Sequence, residues 1–211
     1  MTAHDPAPRP AANRQGYHHG DLRRALLTAA IEAIEESGAA AVSLRDLARR
    51  AGVSHAAPAH HFGDKAGLLT AVAVEGFELF ADELNATWER TGDVAEVGVA
   101  YVRFGLTHRG HFEVMFQPGL CHADAADLVA ARARAAESLH GGAGVLADRV
   151  ADGDPQIAAW AAWSLVHGFT MLQLGGALPL PPDAEPEGVA RQVVKFLTLQ
   201  NAGSAGAAEV Q

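Results

Sequence analysis

An all-α fold is what this sequence predicts, and three observations carry the prediction. Apolar residues recur at three- and four-residue spacing over long stretches, while no stretch alternates convincingly with period two. Aromatics make up only 6% of 211 residues while alanine and leucine abound, which favours close helix packing over a β-sandwich. The hydrophobic share of 49% suits a globular core and is too high for a mostly disordered chain. The length allows one large domain or two small ones, and there is no internal repeat.

Residues 1–19 read as a flexible arm, polar and proline-rich, without the apolar stretch of a signal peptide. From Asp21 to Ser37 the spacing predicts a helix with Leu22, Leu26, Ala29, Ala30, Ala33 and Ile34 on one stripe, closed by Gly38. Ser43 followed by Asp46 is a start signal for a second helix, with Leu44, Leu47, Ala48 and Ala51 as its apolar face and Gly52 as its end. A third helix is expected from Val53-Ser54, capped by Ser54, to about Phe62. Gly63-Asp64 then caps a long helix from Lys65 to about Arg90, with Leu68, Leu69, Val72, Phe77 and Phe80 available for packing. Further helices are expected near 93–107, 110–117, 123–150, 154–176 and 185–200. Asp154-Pro155 opens the fourth of these with proline at the first helical position, and Leu-Pro-Leu-Pro-Pro at 178–182 ends it. Residues 202–211 read as a frayed tail.

The charge is unevenly spread. Residues 1–65 carry eight Lys/Arg against seven Asp/Glu and hold six of the eleven histidines, whereas residues 66–211 carry eight against eighteen within a net charge of −9. An acidic body repels DNA everywhere except at a designated end, and the N-terminal third is the candidate for that end. No run of 18 apolar residues is present, so no membrane span and no membrane partner is expected. Cys121 is the only cysteine, which excludes a disulfide framework and a Cys-rich zinc site. A soluble cytoplasmic protein is the expectation. No Gly-x-Ser-x-Gly, phosphate loop, dinucleotide fingerprint or His-Glu-x-x-His occurs, so no catalytic residues, no cofactor and no enzyme activity are expected.

The informative stretch is SLRDLARRAGVSHAAPAHHF, residues 43–62. A short helix, a glycine turn and a second short helix form the pattern of a helix-turn-helix. Gly52 permits the sharp turn, Ala48 is small where the helices cross, and Val53 fills the gap beneath. His55, Ala56, Ala57, His60 and His61 would face a major groove, with Arg45, Arg49 and Lys65 flanking it where DNA phosphates would lie and Ser43 and Ser54 counted among the DNA-binding residues.

Residues 20–69 resemble the DNA-binding domain of the tetracycline-repressor (TetR) family. The matching places are Ser43, Leu47-Ala48, Ala51-Gly52-Val53-Ser54, His61-Phe62, Lys65 and Leu68. Two departures stand out: Ala59 sits where the family usually has a phosphate-contacting tyrosine, and Pro58 lies inside the short helix. The resemblance implies a DNA-binding domain over 20–65 and a ligand-binding and dimerisation domain over 66–201. It also implies a homodimer that reads a near-palindromic double-stranded operator and is released from it by a small-molecule effector. In order, 154–176 and 185–200 match the helices that form the family's dimer bundle. Ala158, Ala161, Ala162, Gly168, Gly175 and Gly176 would allow close approach, and Val189, Val193, Phe196 and Leu197 an apolar stripe. The stretches YVRFGLTHRGHFEVMF and AAWSLVHGFTMLQLGGAL resemble a TetR subgroup marked by Trp163, His167 and Gly168.

The family's effector pocket lies in the C-terminal bundle, where Tyr101, Phe104, Phe112, Met115, Phe116, Trp160, Trp163, His167 and Met171 gather here. Trp160, Trp163, His167 and Met171 share one helical face, which points to a small, mostly apolar effector with His167 as its polar handle. Two alternatives stand beside this reading. One is a metal-responsive regulator using the region of His108, His111, Cys121 and His122. The other is a ligand-binding helical bundle with weak DNA activity.

Overall fold

A computed structural model of the chain describes residues 19–140, 145–146 and 154–196. The expected tail and Leu197 lie outside these residues, as do most of the arm and part of the expected 123–150 helix. The described residues form α-helices and two short 3-10 turns, with no strand among them.

The helices are α1 (His19–Ser37), α2 (Leu44–Arg50), α3 (Ala57–Phe62), α4 (Lys65–Thr91), α5 (Val94–Thr107) and α6 (Arg109–Met115), followed by α7 (Ala126–His140), α8 (Pro155–Leu174) and α9 (Pro186–Lys195). Several of their starts follow from short acceptor side chains, as expected from the sequence. Ser43 Oγ accepts from Asp46 N at 3.2 Å, Asp64 Oδ1 from Gly67 N at 2.7 Å, and Asp154 Oδ1 from Gln156 N at 2.7 Å. Asp93 does the same for α5, accepting from Ala95 N at 2.8 Å. At the other end of α1, Gly38 N donates to Ile34 O at 2.7 Å.

Helix α4, about 40 Å long at 1.5 Å per residue, is the axis of the molecule. Its first turn meets α3, and further along it packs against α5, α6 and α7. The core is continuous from the N-terminal helices into the body, running through Leu27, Ile34, Leu47, Leu68, Val72, Phe80, Tyr101, Phe104 and Leu128. Helices α8 and α9 cover α5, where Val194 and Val166 sit close against Gly98. Arg191 of α9 clamps Glu96 of α5 with two hydrogen bonds of 2.9 and 3.0 Å.

Helix α8 alone among the described helices is long and apolar enough to cross a membrane by length and composition. One side of it packs on α5. The other leaves Ile157, Trp160, Met171 and Leu172 about half exposed, and nothing lies within contact of a side chain placed at Gly168. On α9, Val189 and Val193 pack against the core, while Phe196, at its end, is 70% exposed.

Candidate nucleic-acid interface and effector cavity

Helix α2 is stapled to α1 by one ion pair and braced internally by two more. Arg50 bonds Asp46 at 2.8 Å and reaches Glu36 of α1 at 2.7 Å; Arg49 bonds the same Asp46 at 2.6 Å. The Arg50 hydrogen bond to Glu36, and those of Arg49 and Arg50 to Asp46, hold both carboxyls below their ordinary pKa. Ala48 is fully buried where α2 crosses its neighbours, Gly52 takes φ 66°, and Val53 N closes the turn on Ala48 O at 3.0 Å.

The third helix differs from the expectation. It begins at Ala57, and Ser54 supplies no side-chain cap. Pro58 explains the shift. A helix capped at Ser54 would need the Pro58 N–H to bond the Ser54 carbonyl, and proline has no N–H to give. The Ser54 carbonyl instead accepts from Ala57 N at 3.0 Å, and Pro58 falls in the first turn, where its ring is tolerated and buried. His55 and Ala56 therefore lie in the turn that leads into α3.

Ser43, Arg45, Ser54, His55, Ala56, Ala59 and His60 are exposed; Ala57 and His61 are half-buried. Arg45 forms no ion pair among the described residues, and Arg49 one turn later remains mostly exposed beyond its bond to Asp46. Lys65 Nζ donates to Ala40 O at 2.6 Å, tying the start of α4 to the 3-10 turn before α2. Sequence reasoning missed Arg23, whose guanidinium lies 5.3 Å from the Phe62 ring centre and covers the end of α3.

In the body the nine aromatic and polar candidates divide. Tyr101, Phe104, Phe112 and Met115 are buried, with Phe80 set edge-on to Tyr101 at 5.1 Å and to Phe104 at 5.2 Å. Met115, Phe116, Trp160 and Trp163 line one cavity of about 420 Å³ between α4, α6, α7 and α8, with Phe77, Phe80 and Arg132. Phe112, Phe116, His167 and Met171 line a second, more polar one of about 420 Å³, against Ile34, Glu35, Arg109 and Glu113. Phe116 stands between the two.

Tyr101 joins the two halves. Trp163 Nε1 donates to its hydroxyl at 3.2 Å, and the hydroxyl lies 2.8 Å from His167 Nδ1. Indole can only donate, so the Tyr101 oxygen accepts from Trp163, and its bond to His167 Nδ1 carries either the phenol or the imidazole proton according to the imidazole tautomer. Burial raises the Tyr101 pKa far above its ordinary value and lowers that of His167 below 6.5. For His167 the folded state resists protonation, so its stability contribution is intact above pH 6.5 and is lost as the pH falls through the depressed folded value. Urea unfolding between pH 7.5 and 5 should accordingly lose more stability in the wild type than in His167→Gln. Parallel curves would remove His167 as the source.

The metal alternative finds no convergent ligands. His111 Nε2 is held by Glu75 at 3.1 Å, and His122 Nε2 by Asp64 at 3.0 Å, at different places along α4. His108 stacks on Phe104, and among the described residues no group of three potential ligands comes together. Burial pushes the Cys121 thiol pKa up, away from a reactive thiolate.

A second junction links the two parts. Glu113 of α6 accepts from Ala39 N at 2.8 Å, and Glu35 of α1 accepts from Gly110 N at 3.3 Å. Each carboxylate thus satisfies a backbone amide on the opposite side.

Comparison with known proteins agrees with this architecture. The family model for bacterial regulatory proteins of the tetR family matches residues 26–72, and that for a tetracyclin repressor-like C-terminal domain matches residues 94–196. No curated protein matches the chain significantly. Among solved structures, a protein of unknown function from Rhodococcus sp. RHA1 is 32% identical, with a TM-score of 0.70 over 87% of this chain and 97% of that one. A bacterial regulatory protein in the tetR family, also from Rhodococcus RHA1, is 21% identical, with a TM-score of 0.67 over 85% of this chain and 97% of that one. The TetR family transcriptional regulator PfmR from Thermus thermophilus is 23% identical, with a TM-score of 0.63 over 82% of this chain and 96% of that one. With the helix-turn-helix and the helical body matched in order along the chain, the protein belongs to the TetR family of bacterial transcription regulators.

Proposed function

We propose that the chain is a homodimeric repressor that binds a near-palindromic operator and releases it when a small, mostly apolar effector enters the body. One observation carries this reading: α4 touches both ends of the process. Its start meets the end of α3, where Asp64 N donates to Phe62 O at 3.0 Å and Gly67 lies against that same carbonyl, and about three turns further on Phe77 and Phe80 wall an apolar cavity. A ligand with different affinity for two positions of α4 would bias the placement of α3. The half-exposed apolar side of α8, with its open glycine, supports a partner copy there, since a monomer would leave that side in water.

The test is selection from randomised duplexes followed by gel shift. A palindrome recovered as a dimer complex and lost at high salt is the expected result; failure to enrich any sequence sinks the operator reading. Arg45→Ala should weaken binding to all sequences and lower the salt slope by about one, with thermal stability unchanged. Lys65→Ala should lower the slope similarly and also cost stability, because it removes the bond to Ala40 O. An unchanged slope for Lys65→Ala would show that its ammonium serves the fold alone. Substitutions at His55 or His60 should instead change which sequence is preferred.

A further inference from the structure

Among the described residues, Arg132 is the one charged group lining the apolar cavity between α4, α6, α7 and α8. The remaining walls are Phe77, Phe80, Met115, Phe116, Trp160, Trp163 and smaller apolar groups. Arg132 is half-buried as a residue, and its guanidinium rests 5.7 Å from the centre of the Phe77 ring, itself part of the wall. It forms no ion pair with any carboxylate among the described residues. Arg134, two residues along the same helix, behaves differently: it pairs with Asp82 and donates to Glu78 O at 3.3 Å on the outside of α4. A half-desolvated arginine facing an apolar space is costly unless an anion meets it, and its planar fork matches a carboxylate.

We infer that this cavity takes an amphiphilic carboxylate, an unbranched or lightly branched hydrocarbon chain ending in one anionic group that Arg132 receives. This rests on reading the cavity as the effector site, and it adds the head group to that reading. The aromatic wall accepts the chain without demanding a fixed position, while Arg132 fixes the end. Cationic amphiphiles are excluded by the same charge. A neutral chain of equal length keeps the apolar contact but leaves the arginine without its partner.

Calorimetric titration of the full chain, without DNA, with decanoate, 1-decanol and decyltrimethylammonium tests the inference. The wild type should bind decanoate roughly tenfold or more tighter than decanol, the scale of one charge-assisted hydrogen-bonded pair, and the cation more weakly still. Arg132→Gln should bind decanoate and decanol alike, while Arg134→Gln should keep the wild-type preference. Thermal melts of both variants confirm that they are folded. Equal affinity for acid and alcohol in the wild type overturns the inference. So does a preference that survives Arg132→Gln, or a lack of saturable decanoate binding. Because no DNA is present, a protein that binds decanoate but no operator would keep this inference and lose the repressor reading. A protein that binds an operator but no carboxylate would do the reverse.

Discussion

Gly67→Ala is expected to lower the melting temperature by about 4–12 °C, from an overpacking cost of about 2–3 kcal/mol. It should also weaken operator binding about tenfold or more. The cause is local. A Cβ on Gly67 would lie far inside van der Waals contact distance of the Phe62 carbonyl oxygen, and that atom is backbone at the last turn of α3. It cannot rotate aside as a side chain could, so α3 must move away from the start of α4. The same movement would disturb Asp64, whose carboxylate accepts from Gly67 N, and Lys65, whose ammonium holds Ala40 O. Stability and recognition therefore fall together. Gly188→Ala in the first turn of α9, where a Cβ meets nothing closer than 3.9 Å, is the control and should be neutral or slightly stabilising. Equal melting temperatures for Gly67→Ala and the wild type would mean that the α3–α4 seam has room that the geometry denies.

Phe80→Ala is expected to cost about 3–5 kcal/mol in urea unfolding, the range for deleting a fully buried phenyl ring. Phe80 is 1% exposed, stands edge-on to both Tyr101 and Phe104, and forms part of the wall of the Arg132 cavity. Removing it takes away two aromatic contacts and opens the core into the cavity. The variant should therefore admit bulkier apolar ligands than the wild type at the same time as it loses stability. A cost below about 1 kcal/mol would mean that the neighbouring rings collapse into the space.

The local features of this fold are legible in the sequence because their causes are local. Ser43, Asp64 and Asp154 cap helices because a short acceptor precedes a periodic apolar run, and Gly38, Gly52 and Gly63 close turns for steric reasons. The start of α3 is the exception, expected at Ser54 although Pro58 stands in plain view four residues on. Counting the missing proline N–H back to its acceptor places the start correctly. The candidate effector stripe on α8 does not line a single space: Trp160 and Trp163 wall the apolar cavity, while His167 and Met171 wall the more polar one. From Trp160 to Met171 it runs about 16 Å along the helix, past the Phe116 ring that stands between them. Arg132 carries no sequence signal, since periodicity assigns a residue to a face without saying which apolar face lies opposite. The Glu113–Ala39 and Glu35–Gly110 bonds span 74 and 75 residues, and nothing in the pattern near either end announces them.

Those two bonds also bear on how far this protein is modular. Each carboxylate belongs to one part and its amide to the other, so neither part keeps a complete set of partners when separated. A chimaera that grafts a foreign DNA-reading end onto this body at Lys65 would leave Glu113 facing an amide in the wrong place and Gly110 N without Glu35. Such grafts should work only when the donor brings an acidic residue at the place of Glu35 and a tight turn at the place of Ala39, so the usable donors can be chosen from those two positions.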